Sequence, residues 1–414
     1  MFNILVSAYA CSPYQGSEAG VGWGFVKELS ATDNLTVFVE QKFQNDIEDY
    51  CHRNSQESVS TVNFIFVKRT RLDFLRMVYP PSYYWTYRLW QWNVYRIAKN
   101  LIRTPGKRFD LCHHLTMVGF REPGFLYRLE LPFVVGPVGG AGFFPKRFLG
   151  EMGFKVGMYY LMYNIFNSLH MRFHFRLFAI AKRKQTTGFA ATQENQNLLN
   201  YYGFGNVPII PEIGLDGALD GNSNINSISN DLINIVWCGK LIARKGLKFL
   251  LKALSNVKSN TTYHLHILGD GPLNEEIRNQ IQSLKLNDRV TLYGDMPRLQ
   301  AIEIMKSCDI GVITSLRDLT SSVTVEFKNA ELAMIVPNHS GFQAVCNTAN
   351  AIMVDITNPQ DFEKNIEFSL KILLDDAHKR RQLQQQSSSG LDKLYWKNKV
   401  ARLRLIYSSL ISAK

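Results

Sequence analysis

The amino-acid sequence predicts an α/β protein built from two doubly wound parallel sheets, one in each half of the chain. Short apolar, β-branched runs alternate with helix-period patterns throughout, as expected for parallel strands joined by crossover helices. Each half carries its own series of such runs and is long enough for a separate domain. Between them, residues 216–231 (DGALDGNSNINSISND) are polar, aperiodic and rich in Gly, Asn and Ser, the composition of a linker.

In the first half, strands are expected near 2–9, 35–40, 62–67, 109–113, 133–138 and 187–192. In the second they are expected near 232–238, 263–269, 289–294, 310–315, 334–338 and 351–355. Helical patterns fill the gaps, most clearly at 244–257, 273–284, 299–308, 320–333 and 360–374. Residues 391–414 read as a basic amphipathic helix. The expected organisation is therefore a first domain at 1–215, a linker at 216–231, a second domain at 232–390 and a terminal helix at 391–414.

The chain has 414 residues, of which 46% are hydrophobic and 20% charged, an ordinary globular balance. Six cysteines (11, 51, 112, 238, 308, 346) are scattered, with no C-x-x-C and no Cys/His cluster. That pattern argues against a zinc site or a disulfide scaffold and fits a reducing compartment. The opening lacks a basic stretch ahead of its apolar run, and no uncharged run reaches the roughly 20 residues that span a bilayer, so a cytoplasmic protein is expected. The net charge of +12 lies mainly in residues 1–200, with 23 Lys and Arg against 14 Asp and Glu. A basic first half points to an anionic partner: a membrane surface, a lipid-linked phosphate or a nucleic acid.

Three loops carry the chemistry. The first strand runs into CSPYQGSEAGVGWG, where Gly16, Gly20 and Gly22 allow close backbone approach to a ligand and a helix is expected to begin near Gly22. The spacing is not that of the G-x-G-x-x-G fingerprint, and a loop that merely needs flexible turns would look similar. Strand 232–238 ends in GKLIARKG, placing Lys240, Arg244 and Lys245 beside a helix start, an arrangement that suits a diphosphate. Any one of these lysines by itself reads equally well as part of a solvated turn. Strand 310–315 is followed by SLRDLTSSVTVEFKNAEL. There Thr320, Ser321 and Ser322 cap a helix, and Asp318 and Glu326 stand eight residues apart. A carboxylate on such a helix can accept hydrogen bonds from two ribose hydroxyls, although two acids at this spacing are common in any protein.

Taken in order, YACSPYQGSEAGVGW, FDLCHHLT, PFVVGPVGG, GKLIARKG, HILGDGPL, RVTLYGDM and the Asp318/Glu326 pair resemble glycosyltransferase family 4, the large retaining family with the GT-B fold. The resemblance covers nearly the whole chain. It implies two Rossmann-like domains facing across a cleft and a C-terminal helix that crosses back to the first domain. It implies transfer of a sugar from a UDP-, GDP- or ADP-sugar to a lipid-linked or saccharide acceptor, with retention of configuration and no metal or other cofactor. By residue, it implies Lys240 and Lys245 on the donor diphosphate, with Arg244 as a further cation. Lys240 stands where the family usually has Arg and so lacks a bidentate fork. Glu326 is implied on the ribose, Asp318 on the transferred sugar, Ser321 and Ser322 at the helix end, Gly16 in a loop near the phosphates or acceptor, and His114 (or its neighbour His113) near the donor sugar. A histidine at a strand end is, on its own, more often structural than functional.

The chain departs from the family pattern after Glu326, where Glu331-Leu332-Ala333 replaces an expected Gly-x-Pro. A Glu at a position needing positive φ carries strain of about 1–3 kcal/mol. Phe327 and Lys328 are bulkier than the small residues expected there.

Residues 68–108 contain ten Lys and Arg with one acid, Asp73, among many Tyr and Trp; residues 154–184 repeat the theme with Phe, Tyr and Met. The mixture fits a lid with a solvated basic face as well as it fits an anionic membrane interface. Nucleic acid ranks below both, because no recognition motif accompanies the charge. The expected function is thus a sugar transferase at the inner face of a membrane. A nucleotide-sugar epimerase-like enzyme and a weakened membrane-associated scaffold are the alternatives.

Overall fold

The structure, a computed structural model, describes residues 1–70, 82–217 and 232–412. Most of the expected linker, and Arg71, Asp73, Arg76 and Tyr79 of the basic aromatic stretch, lie outside the described residues. The chain divides into two compact units: residues 1–141, 170–217 and 393–414, and residues 142–169 and 218–392.

In the first unit, β1 (Asn3–Ser7), β2 (Asn34–Glu40), β3 (Asn63–Val67), β4 (Leu111–His114), β5 (Phe133–Val138) and β6 (Thr186–Ala190) form one sheet in the order β3-β2-β1-β4-β5-β6. All its pairings are parallel. The second unit repeats the plan with β7 (Leu232–Cys238), β8 (Thr262–Leu268), β9 (Val290–Gly294), β10 (Ile310–Val312), β11 (Ala333–Pro337) and β12 (Ile352–Val354), in the order β12-β11-β10-β7-β8-β9. Both are Rossmann-like: the chain begins at the middle of each sheet, winds to one edge, then returns and winds to the other. The direction reverses between β1 and β4 in one unit and between β7 and β10 in the other, the places where doubly wound sheets open a crevice for ligands.

The strands are near-continuous apolar runs because helices cover both faces. Ile4, Leu5 and Val6 of β1 and Val37, Phe38 and Val39 of β2 are fully buried. In the second unit the core runs through Ile235, Trp237, Leu265, Ile267, Ile310 and Ile335 to the helix Pro359–Asp375. Asn358 caps that helix, accepting from the Asp361 N–H at 2.9 Å, with Pro359 in its first turn.

Residues 142–169 fall inside the 1–215 stretch that the sequence assigns to the first domain, yet they cluster with the second unit. The reason is apolar burial: Phe144, Phe148, Met152 and Tyr160 pack into the second core, where Phe148 meets Phe249 and Phe362 edge-on at 5.6 and 5.8 Å. The terminal helix, Trp396–Ser412, belongs to the first unit. Its buried stripe is Trp396, Val400, Leu403, Tyr407 and Leu410. The indole of Trp396 fills space left by two glycines; a Cβ at Gly24 or Gly214 would lie 2.1 or 2.6 Å from it. Lys399 is fully buried, donates to the carbonyls of Glu212 and Ile213 at 2.9 and 2.7 Å, and is held well below the usual lysine pKa by that burial.

The glycine-rich turn after β1 differs from the sequence expectation. The helix begins at Ser17, not near Gly22, and runs to Ser30. Gly22 serves packing: a Cβ there would sit 2.1 Å from the Ala10 carbonyl oxygen. At Gly20 a Cβ would likewise lie 2.9 Å from the Gln15 carbonyl oxygen. Gly16 alone of the three faces open space, with ordinary extended backbone.

Candidate functional site

At the switch point of the second sheet the loops after β7 and β10 brace each other. Gly246 adopts φ +67, and a Cβ there would meet the Thr314 carbonyl at 2.4 Å, so only glycine fits. The Thr314 hydroxyl donates to the Lys245 carbonyl at 2.7 Å and accepts from the Trp237 indole at 3.0 Å, while the Leu316 N–H donates to the Arg244 carbonyl at 3.0 Å. The turn after β8 closes on the same place: Gly269 and Gly271 lie so near Gly239 and Leu241 that a Cβ would come within 2.2 and 2.5 Å of their carbonyl oxygens. The glycines of GKLIARKG and GDGPL therefore allow three strand-end loops to stack.

On this base the charges meet. Lys245 Nζ lies 2.7 Å from one Asp318 carboxylate oxygen and Arg244 2.5 Å from the other, and Arg244 also donates to the Arg317 carbonyl at 2.6 Å. The Asp318 side chain is 11% exposed. Burial raises its pKa, but Lys245 and then Arg244 outweigh this and hold the carboxyl below its ordinary value. Lys240 projects to solvent and lines a separate recess of 540 Å³ with Cys238, Asp270, Asp295, Arg298 and Glu326. Glu326 accepts from Arg298 Nε at 2.8 Å. Burial, then Glu326, push the Cys238 thiol up to about 12, while Lys245 acts in the other direction.

Ser321 is the N-cap residue of the helix Ser322–Asn329 but makes no side-chain capping bond; it is buried, and Ser322 is exposed. The C-terminal end shows how the chain absorbs its departures from the family pattern. Glu331 has φ 54, and its N–H and that of Leu332 donate to the carbonyls of Lys328 and Phe327 at 3.2 and 3.1 Å. This is the helix stop normally given to glycine, occupied here by a strained Glu. Phe327 fits because β10 offers Gly311, where a Cβ would lie 2.5 Å from the ring. Lys328 is buried and reaches the Ser389 carbonyl at 3.0 Å.

In the first unit, neighbouring histidines at the end of β4 face opposite sides. His113 is structural, with Nδ1 2.6 Å from the Tyr407 hydroxyl and Nε2 2.9 Å from the Gly136 carbonyl. His114 packs against Gly124, and its Nε2 has no partner among the described residues. Burial, then His113, lower its pKa to about 3, so the ring is neutral. The helix start after Gly16 is tied to the β4 loop by Glu18, which accepts from the Met117 N–H.

Two residues that the sequence did not single out belong here. Arg298 opens a helix after the Gly294–Pro297 turn and pairs with Glu326; its only advance signal was a cation at a helix start after a strand. His339 is half-buried with Nε2 3.3 Å from the Ser315 carbonyl, and desolvation lowers its pKa to about 4. Gly341, two residues on, presses against the Asp318 and Leu319 carbonyls, where a Cβ would lie 2.3 and 2.6 Å away, so this loop sets the height of the Asp318 turn. Among the described residues no cluster of three or more His, Cys, Asp or Glu is placed to hold a metal ion.

Residues 221–389 match the family described as Glycosyl transferases group 1. The GPI3 subunit of phosphatidylinositol N-acetylglucosaminyltransferase from Saccharomyces cerevisiae is 24% identical over 185 residues, covering 44% of this chain and 40% of that protein. The lipopolysaccharide core biosynthesis glycosyltransferase LpsD of Rhizobium meliloti is 26% identical over 162 residues, 39% of this chain and 45% of that one. The chain thus matches less than half the length of either relative. Among solved structures, HepE of Anabaena in complex with UDP and glucose aligns over 99% of this chain and 100% of that one, with TM-score 0.58 and 14% identity. A glycosyltransferase from Rickettsia africae aligns over 100% and 99%, with TM-score 0.64 and 13% identity. The fold is GT-B, and the second unit carries a glycosyl transferases group 1 domain.

Proposed function

We propose, from the glycosyl transferases group 1 domain of the second unit, that this chain is a glycosyltransferase that moves a sugar from a nucleotide diphosphate donor to an acceptor with retention of configuration. One observation carries the reading: Lys245, Arg244 and Asp318 are joined on two loops at the switch point of the second sheet, beside a recess lined by Lys240 and Glu326. Cations at the end of a central parallel strand suit a diphosphate, and a carboxylate on the next helix suits a ribose diol.

In this mechanism Lys240, Arg244 and Lys245 stabilise the charge that grows on the diphosphate as the glycosidic bond breaks. They sit on braced loops, so little reorganisation is needed when that charge appears. Glu326 takes the ribose hydroxyls and Asp318 a hydroxyl of the transferred sugar. The acceptor hydroxyl attacks from the face the diphosphate leaves, and a phosphate oxygen receives its proton, so no protein nucleophile is required. Ser321, Ser322 and the backbone N–H groups beside them face the phosphates, and Gly16 lies in the loop proposed to line the phosphates or acceptor. His114, neutral with Nε2 unclaimed, is a hydrogen-bond partner for a sugar hydroxyl rather than a base at neutral pH. The acceptor is proposed to be a lipid-linked saccharide at the inner face of a membrane, in keeping with the basic first half.

The test is donor turnover with UDP-, GDP- and ADP-sugars, with and without polyprenyl-phosphate-linked acceptors. UDP-sugars head the panel because HepE was solved with UDP and with UDP-glucose. Turnover with one donor class, lost in Lys245→Ala and Glu326→Ala variants that remain folded by circular dichroism at the assay temperature, is the expected result. No turnover with any donor, or full turnover in both variants, overturns the proposal.

A further inference from the structure

The helix Phe154–Arg172 buries a narrow stripe of small and polar residues and exposes most of its large apolar ones. Its buried face is Gly157, Tyr160, Asn164 and Asn167. Asn164 clamps the backbone of Phe144, accepting from its N–H at 2.9 Å and donating to its carbonyl at 2.8 Å. Asn167 donates to the Gly142 carbonyl at 3.2 Å. Tyr160 stacks on the Phe144 ring at 4.1 Å, and Gly157 lies so near the Leu149 carbonyl that a Cβ would come within 2.5 Å. These contacts fix which way the helix faces.

The outward face is therefore apolar by construction. Phe154, Tyr159 and Phe166 are 85%, 63% and 51% exposed, and Met162, Ile165 and Leu169 continue the surface between and beyond them. No charged residue occurs from Val156 to Leu169, whereas Lys155 and Arg172 stand at the two ends. From Met152 to Gln193 the sequence has no acid at all. A contiguous apolar surface of this kind marks a docking face rather than ordinary exposure.

We propose that this helix lies in the plane of an anionic lipid bilayer, with its outer face immersed at the headgroup boundary and Lys155 and Arg172 on lipid phosphates. Among the described residues no helix is long and apolar enough to cross a membrane, so the helix lies on the surface rather than spanning it. Charge complementarity selects lipid over a second copy of the chain: every charged residue from 152 to 193 is a cation, on a protein of net charge +12, and a second copy would oppose the face with the same sign. The proposal stands on this helix and not on the transferase reading.

The test is flotation of the full chain with vesicles of phosphatidylcholine, alone or mixed with phosphatidylglycerol. Wild type is expected to float with the mixed vesicles and weakly or not at all with the neutral ones. The double variant Tyr159→Asp/Phe166→Asp is expected to lose partitioning by about tenfold or more, with an unchanged melting temperature because both side chains face outward. Lys155→Gln/Arg172→Gln is expected to weaken binding only to the anionic vesicles. Wild type that stays unbound, or a double-acid variant that floats as wild type does, overturns the proposal. So does a wild-type dimer in sedimentation equilibrium that the double-acid variant converts to monomer, since the face would then be a contact between copies.

Discussion

Replacing Asp318 with Asn removes the charge that Lys245 and Arg244 share and leaves two cations side by side on one turn. Breaking a buried ion pair by removing one partner costs about 3–5 kcal/mol. Here the cations keep some access to water, 19% for Lys245 and 25% for Arg244. Solvent screening brings the expected cost to about 2–3 kcal/mol at neutral pH, a fall in melting temperature of about 5–10 °C for a unit of this size. The pH dependence tests the cause. Asp318 has a depressed pKa in the folded protein, so its contribution is fully present above the unfolded-state value and is lost as pH falls through the folded one. The melting difference between wild type and Asp318→Asn is therefore expected to be constant from neutral pH down to about pH 4 and to shrink below it. Differential scanning calorimetry across that window is the assay. A gap that persists undiminished at pH 3, or no gap at neutral pH, refutes the ion-pair account of this turn.

Gly246→Ala places a methyl 2.4 Å from the Thr314 carbonyl at φ +67; it is expected to cost about 2–4 kcal/mol and to weaken nucleotide binding, read by calorimetry and titration. Glu331→Gly relieves the left-handed backbone at φ 54 and is expected to raise the melting temperature by a few degrees, about 1 kcal/mol; an unchanged or lower value would mean that the turn is not strained. Tyr407→Phe strips His113 Nδ1 of its 2.6 Å partner and is expected to cost about 1–3 kcal/mol in chemical denaturation. Arg298→Ala frees Glu326 and is expected to change the KM for the donor more than kcat, whereas equal loss in both would place Arg298 outside the recess chemistry.

Much of the fold was legible because parallel strands buried on both faces write themselves as apolar runs. The run LINIVWC became β7 over Leu232–Cys238, and FVVGPV became β5 over Phe133–Val138. The donor-side loops were legible for a related reason: glycines and cations at strand ends serve both close packing and phosphate recognition, so GKLIARKG stood out whichever role dominated. Composition did not reveal which way a helix faces. In residues 154–172 the apolar side chains outnumber the polar ones, and only the asparagine clamps to Gly142 and Phe144 turn the polar stripe inward. Phe144, Phe148, Met152 and Tyr160 in the second core, with Lys248 paired to Glu151, carry residues 142–169 into a unit to which their sequence position does not assign them. Gly20 and Gly22 looked like ligand-approach glycines because a tight helix-to-loop contact and a ligand contact demand the same absent Cβ. Arg298 went unnoticed because one cation at a helix start carries no pattern until its partner, Glu326, is brought beside it.

The central claim is that the second unit grips a nucleotide diphosphate through Lys245 and Glu326. Isothermal titration of UDP, GDP and ADP into wild type, Lys245→Ala and Glu326→Ala tests it most directly. The expected result is saturable binding of one nucleotide by wild type, weakened at least about tenfold in each variant, equivalent to about 1.4 kcal/mol or more. Equal affinity in all three proteins, or no heat with any nucleotide, would contradict it.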